Sequence, residues 1–366
     1  MTVVPTKLYV QARLQLRRNC VKFPASSCGC GSKPWPLLQL GFDGMMWVSV
    51  LAQSRMSMPL PDYQSLIDAQ TWAFIKQTDA CYPPDTATLT IGEQRSIYDR
   101  MCRAFHQGYP SGVQVVDRQI GGVACRVYSG ARPTVVYLHG GGFVVGGLHS
   151  HDDVCAEISA RTGQEVVSVD YRLSPENLHP AAFDDACAVV RALGADRALV
   201  LVGDSAGGNL AAAASHALRG SGVEILGQIL IYPGLGGDPD KGSYLTHAHA
   251  PMLSRDDVLF YKDIRHGGPA PEDDPTVQPL CDTNFANLPP TMAISAECDP
   301  LADDARAYAA RVTAAGGLAH WVQEPGLVHG YLRARAIVPR AAISFTRICD
   351  AVSAFATGRW PYGETP

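Results

Sequence analysis

No run of about 18 clean apolar residues occurs in this 366-residue chain, so no membrane-spanning helix and no stable membrane insertion are expected. The nearest approach, Trp35 to Ala52, is broken by Pro36, Gln39, Asp43 and two glycines. There is no basic excess: the formal net charge is −5, which argues against a nucleic-acid partner. Charged residues make up only 18% and apolar ones 46%, a balance that fits one large domain with a sizeable core. The 11 cysteines are odd in number and scattered, and Cys125, Cys155, Cys187 and Cys349 lie inside apolar runs. That pattern reads as reduced, buried thiols in a cytoplasmic protein and excludes a disulfide framework. Internal repeats are absent.

Charge is uneven along the chain. Residues 1–57 carry seven basic side chains against Asp43 alone, a net +6, which leaves −11 for the rest. This segment has no compact basic start leading to an apolar core and a cleavage site, so it is not a clean signal peptide. Three readings compete: upstream sequence ahead of a natural start at Met56 or Met58, a disordered tail, or a membrane-surface or partner segment.

What is present is a serine at a sharp turn. The apolar run Ala198–Val202 leads into Gly203-Asp204-Ser205-Ala206-Gly207, and an alanine-rich stretch follows from Asn209. That order reads as strand, turn, helix. A serine pushed out of such a turn needs neighbours with almost no side chain, and glycine two before and two after supplies this. Its hydroxyl then stands at a helix start, where free N–H groups favour developing negative charge.

A second element has matching chemistry. Thr134 to Leu138 reads as a buried strand and runs into His139-Gly140-Gly141-Gly142. Three glycines leave backbone N–H groups open to close approach by a substrate oxygen, as an oxyanion hole requires. A phosphate-loop reading is weaker, because no Lys-Ser/Thr closes the loop. The dinucleotide fingerprint fails because Val145 stands at its last glycine position.

An acid and a base follow in sequence. Asp299 lies just past a strand read from Thr291 to Ser295, with Pro300 opening the next helix. His329 lies in a glycine-flanked loop after a strand read from Ala319 to Gln323. In a doubly wound sheet the loops at the carboxyl ends of strands gather on one edge, so Ser205, Asp299 and His329 are expected to meet. The imidazole would take the serine proton, and the aspartate would fix its tautomer. Glu297 is the rival acid. Asp299 could also be a simple helix cap, and His329 an ordinary loop histidine.

Several stretches together resemble the hormone-sensitive-lipase family of bacterial esterases. They are Tyr137 to Phe143, Asp170 to Glu176, Gly203 to Gly208, Asp299 to Leu301 and Val328 to Tyr331. Tyr331 and Ser174 are mild departures, because the family usually has Phe and Ala there. The resemblance spans residue 58 to the C-terminus. It implies an α/β-hydrolase fold, with a mostly parallel eight-stranded sheet, helices on both faces and a small helical cap. It also implies a carboxylic-ester hydrolase with Ser205, Asp299 and His329 as triad. Backbone N–H groups of Gly141, Gly142 and Ala206 would form the oxyanion hole. His139, Glu176 and Asp204 would be supports, the two carboxylates buried or half-buried with backbone partners. No cofactor is implied. His149 and His151 beside Asp152-Asp153 read as an acidic helix start and not as a metal site.

The coarse pattern agrees. Helices are expected over Asp62–Thr78 and from the Thr90–Glu93 capping box to Gly108, then over Asp152–Arg161, Pro180–Leu193 and Asn209–Arg219. One helix over Arg255–Ile264 lies in an insertion at 233–275, and Leu301–Ala315 and Arg333–Phe355 finish the fold. Residues 59–110 and 233–275 would form the cap. Within it and the glycine loop, Trp72, Phe74, Phe143, Tyr244 and Phe260 are candidates for an acyl pocket, each with cap core as its alternative. The partner would be a small-molecule ester; a short, partly polar cap favours short- to medium-chain acyl groups. A deacetylase or an amide or carbamate hydrolase would use the same triad, and a binding protein of the same fold would lack His329. Pairing of two copies through the final helix and last strand is open.

Overall fold

A computed structural model describes residues 61–363; the basic segment 1–57 and the readings attached to it lie outside the described residues. Among the described residues two helices come first, α1 (Tyr63–Leu66) and α2 (Ala69–Asp79), then α3 (Ile91–Phe105). One helix was expected over Asp62–Thr78. The chain instead turns extended at Ile67, and Asp68 restarts the helix by accepting the Thr71 N–H at 2.8 Å. The capping box at α3 is present: Thr90 N–H donates to Glu93 at 2.8 Å, and Glu93 N–H donates to Thr90 Oγ1 at 3.3 Å.

Eight strands follow: β1 (Val115–Ile120), β2 (Val123–Tyr128), β3 (Ala131–Leu138), β4 (Gln164–Val169), β5 (Leu199–Asp204), β6 (Ile225–Ile231), β7 (Thr291–Cys298) and β8 (Ala319–Val328). They form one sheet in the order β1-β2-β4-β3-β5-β6-β7-β8. β2 runs antiparallel to both its neighbours, and every pairing from β4 through β8 is parallel. Between the strands lie α4 (Asp152–Thr162), α5 (Ala181–Gly194) and α6 (Ala206–Leu218). The insertion between β6 and β7 carries α7 (Gly242–Thr246) and α8 (Arg255–His266), one helix more than expected. The chain ends with α9 (Ala302–Ala314) and α10 (Pro339–Ala356).

The central strands are largely apolar because helices cover both faces. Their two-residue period then sorts side chains between two cores. Val200 and Val202 pack with Val154 and Ile158 of α4 and with Phe345 and Ile348 of α10. Leu199 and Leu201 face the other way, onto Val189 and Val190 of α5 and Leu210 of α6. The last helix is shorter than the Arg333–Phe355 stretch. Tyr331–Ala334 is a 3-10 turn, and α10 starts only at Pro339, where a missing N–H is harmless. No helix among the described residues is long and apolar enough to cross a membrane.

Candidate active site

Ser205 occupies the turn from β5 into α6 with φ 53° and ψ −116°, a backbone region that residues with side chains seldom enter. The flanking glycines explain how the chain tolerates it. A Cβ on Gly203 would strike the Gly207 carbonyl, and one on Gly207 would strike the Leu138 carbonyl. The turn is therefore packed backbone against backbone and fixes the serine hydroxyl at the end of β5.

His329 follows β8 directly, and Asp299 follows β7. Two parallel strand ends thus deliver the imidazole and the carboxylate to the same sheet edge as Ser205. His329 Nε2 lies 2.9 Å from Ser205 Oγ, and His329 Nδ1 lies 2.7 Å from Asp299 Oδ2. The other carboxylate oxygen of Asp299 accepts the Leu301 N–H at 2.9 Å, and the group is fully buried. Glu297, the rival acid, accepts the Gly326 N–H at 2.6 Å instead and braces the β8 bend. An aligned hydroxyl, imidazole and carboxylate can activate an oxygen nucleophile and return its proton to a leaving group.

The glycine loop follows β3, the strand hydrogen-bonded to β5. Val144 and Val145 N–H groups both donate to Gly141 O at 3.0 Å, which closes the loop. The N–H groups of Gly141, Gly142 and Ala206 have no hydrogen-bond acceptor among the described residues. Three free donors beside a nucleophile can receive an oxyanion.

A buried polar network supports both loops. Asp204 Oδ1 accepts from Gly140 N–H and from Tyr137 Oη–H, each at 2.9 Å, and His151 Nε2 stands 3.3 Å from Oδ2. Burial alone would raise the Asp204 carboxyl, but His151, Tyr137 and Arg333 outweigh it and hold its pKa well below the usual range. His139 is pushed down to about 3, first by burial and then by His151, so its ring is neutral. The ring stacks on Tyr171 with centroids 4.2 Å apart, and its Nδ1 reaches Gly140 O at 2.8 Å. His149 pairs with Asp99 at 2.7 Å, so the two histidines considered for a metal serve separate carboxylates. The two departures from the family pattern are both satisfied. Tyr331 Oη meets Ser344 Oγ at 2.7 Å, and Ser174 Oγ donates to Asn177 O at 3.0 Å.

Three expectations need correction. Glu176 is not buried on backbone partners; its side chain is 56% exposed and forms a two-pronged pair with Arg95. Arg95 in turn donates to Val144 O and Ser174 O, so the brace on the loop comes from the arginine. Phe74 does not line a pocket: it is fully buried, edge-on to Phe105 at 5.2 Å, in the main core. Tyr244 is likewise buried, with Leu253 and Leu301, and its hydroxyl donates to Asp304 at 3.2 Å. Trp72 packs half-buried on the main core. Phe143 lies under the Arg265 guanidinium, and Phe260 packs edge-on to Tyr261. Sequence reasoning missed Tyr261, whose ring covers Gly142, the buried Arg265 and the half-buried Arg333. The i, i+4 spacing of Tyr261 and Arg265 on α8 was the available signal.

An eight-stranded sheet with a serine elbow, a glycine loop and an acid–histidine pair at its carboxyl edge defines an α/β-hydrolase of the serine-hydrolase type. The alpha/beta hydrolase fold family matches residues 135–333. Carboxylesterase NlhH of Mycobacterium tuberculosis is 38% identical over 222 residues, 57% of this chain and 70% of that protein. Ethyl acetate hydrolase of Pseudomonas putida is 33% identical over 233 residues, covering 61% and 73%. The solved Pyrobaculum calidifontis esterase superposes with a TM-score of 0.68 at 30% identity, over 75% of this chain and 95% of that one. The chain belongs to the hormone-sensitive-lipase-like esterases of the alpha/beta hydrolase fold and is a carboxylic-ester hydrolase.

Proposed function

We propose that Ser205, His329 and Asp299 hydrolyse short- to medium-chain acyl esters through an acyl-enzyme. Ser205 Oγ attacks the ester carbonyl while His329 Nε2 takes its proton. The carbonyl oxygen becomes an oxyanion facing the N–H groups of Gly141, Gly142 and Ala206. Collapse expels the alcohol, which receives the proton from His329, and leaves the acyl group on Ser205. Water then attacks the acyl carbonyl with His329 again as base, and the acid leaves as Ser205 recovers its proton. The observation that carries this reading is the continuous line from Ser205 Oγ through His329 to Asp299, 2.9 Å and 2.7 Å long.

Support for small acyl groups comes from the cap. The Tyr261 ring stands directly on Gly142, so the space beside the proposed oxyanion donors is walled by an aromatic side chain. The ethyl acetate hydrolase, a relative named for a two-carbon acyl ester, is consistent with it. The test is a panel of p-nitrophenyl esters from acetyl to palmitoyl, assayed on wild type and on Ser205→Ala. Turnover should be highest from acetyl to hexanoyl and fall by about 10⁴-fold or more in the variant. Retained activity in Ser205→Ala would overturn the nucleophile. A maximum at long chains with activation at a lipid interface would overturn the substrate class.

A further inference from the structure

Tyr261 and Arg265 are one helical turn apart on α8, so their side chains leave the same face of the cap helix. That face meets the glycine loop at two consecutive residues. A Cβ on Gly142 would overlap three atoms of the Tyr261 ring, so the ring fills the space where a side chain would stand. The Arg265 guanidinium carbon lies 3.8 Å from the centroid of the Phe143 ring. Both loop residues have left-handed backbone, φ +59° at Gly142 and +65° at Phe143. For Phe143 that conformation is rarely adopted and persists only where its surroundings enforce it.

Arg265 is an expensive residue to place there. It is 4% exposed, and its hydrogen-bond partners are uncharged: Asn209 Oδ1 and His179 Nδ1 at 3.3 Å, and the Val277 and Thr276 carbonyls at 3.4 Å. Its Nε is buried with no partner among the described residues. Burial pushes its pKa down to about 9, still high enough to keep the cation at neutral pH. A buried cation with such weak compensation costs stability, and sites of this kind cluster where function demands them.

Its neighbours show what it joins. Phe143 belongs to the loop that carries the Gly141 and Gly142 donors. Asn209 belongs to the first turn of α6, the helix whose first N–H is that of Ala206. Asn209 also donates to Gly234 O at 2.8 Å and Val277 O at 2.9 Å, at the two ends of the cap insertion. One guanidinium therefore touches all three parts whose alignment sets the distance between the donors.

We infer that Arg265, with Tyr261, is a positioning residue that locks the glycine loop against α6, so that the cap insertion sets turnover as well as substrate choice. The inference rests on the reading of Gly141, Gly142 and Ala206 as oxyanion donors. Its signature is a loss in kcat with little change in KM. A further signature is weaker binding of a trifluoromethyl ketone, which adds Ser205 Oγ to its carbonyl, hands the serine proton to His329 and leaves an oxyanion in the hole.

The experiment compares wild type with Arg265→Met, Arg265→Lys, Phe143→Leu and the Arg265→Met/Phe143→Leu double variant on p-nitrophenyl butyrate. Phenyl trifluoromethyl ketone is the competitor. Arg265→Met should lower kcat about 10- to 100-fold, less than the loss of a whole donor, and weaken the ketone in parallel with kcat/KM. KM should move less than about threefold. Arg265→Lys, which keeps the charge but not the planar fork, should recover part of the loss. The double variant should be no worse than the worse single one, as expected for one shared contact. Wild-type kcat in Arg265→Met, a defect confined to KM, or unchanged ketone affinity would overturn the inference. If Arg265→Met does not fold, Tyr261→Leu is read with the same criteria. Failure here leaves the ketone bound as tightly to Arg265→Met as to wild type, whereas failure of the underlying reading leaves the ketone no tighter on wild type than on Ser205→Ala.

Discussion

Asp204 Oδ1 accepts the Gly140 N–H at 2.9 Å, which ties the residue before the serine to the glycine loop across 64 positions of sequence. The same carboxylate meets Tyr137, Tyr232 and His151, so one buried charge organises both halves of the candidate site. Asp204→Asn would present an amide to partners arranged for a carboxylate. It should cost about 3 kcal/mol of unfolding free energy, since it removes a buried charge that several hydrogen bonds hold and turns an amide N–H toward their donors. Esterase activity should fall with it. The pH dependence has a definite sign. Because the folded-state pKa of Asp204 is depressed, its stabilisation is complete above the ordinary Asp value of 3.8 and disappears as pH falls toward the folded value. Urea titrations at pH 7 and pH 3 should show the gap between wild type and variant narrowing at the lower pH. An equal gap at both would contradict it.

The two carboxylates near the end of β7 have separable duties. Asp299 faces His329 Nδ1, and Glu297 faces the Gly326 N–H. Asp299→Asn should reduce kcat by about 10⁴-fold, because an amide favours the wrong imidazole tautomer. Glu297→Gln keeps an acceptor for Gly326 and should change kcat by less than about threefold. Steady-state kinetics on a soluble p-nitrophenyl ester decide between them, and equal losses would return Glu297 to the role of acid.

What the sequence made legible was the chemistry that is local. The turn at Ser205 needs Gly203 and Gly207 within two residues, the donors need consecutive glycines, and the capping box at Thr90 needs Glu93 three residues on. These requirements leave marks at fixed spacing. The sheet could be read because apolar runs such as Leu199–Val202 mark strands buried on both faces. What stayed hidden depends on partners far away in sequence. Glu176 is set by Arg95, 81 residues earlier, and nothing beside Glu176 announces that pairing. Phe74 and Trp72 sit two positions apart on one helix; only the packing of α2 against Phe105 decides that Phe74 is core. The grip of α8 on Gly142 and Phe143 is of the same kind.

Asp304 at the start of α9 holds the opposite charge logic from Asp204. Its Oδ2 accepts from Leu235 N–H at 2.6 Å, Tyr244 Oη–H at 3.2 Å and Gly237 N–H at 3.3 Å, where the cap insertion leaves the sheet. Its other oxygen is buried without a partner among the described residues. Burial raises its pKa to about 6, and the three hydrogen bonds offset only part of that rise. Between 3.8 and about 6 the folded protein holds a proton that the unfolded chain has released. Stability therefore falls as pH rises through this window, by up to about 3 kcal/mol from this group. Asp304→Asn keeps the shape and the acceptor but cannot ionise. Thermal unfolding at pH 5 and pH 8 should show the variant gaining on wild type at pH 8. A constant difference across the two would mean that Asp304 does not titrate there.

Two glycines to alanine should move stability in opposite directions, and the reasons lie in their surroundings. Gly92 sits in the first turn of α3 with no heavy atom of the described residues within 4 Å of where a Cβ would stand, and its φ is not left-handed. Alanine there fits the folded helix and restricts the unfolded chain, so Gly92→Ala should stabilise by about 0.5–1 kcal/mol. Gly207 also lacks a left-handed φ, so backbone conformation does not forbid a side chain. The obstacle is the Leu138 carbonyl at the end of β3, with the His139 carbonyl 2.7 Å away from the same point. Neither atom belongs to a flexible side chain, so α6 itself would have to move off β3. Gly207→Ala should cost about 1–3 kcal/mol. Activity should fall further than that loss explains, because the same displacement carries Ser205 and the Ala206 N–H away from the glycine loop. Urea unfolding of both variants, followed by kcat under conditions where each is fully folded, separates the two effects. A Gly207→Ala protein of wild-type stability and kcat would show that the elbow does not need this close approach.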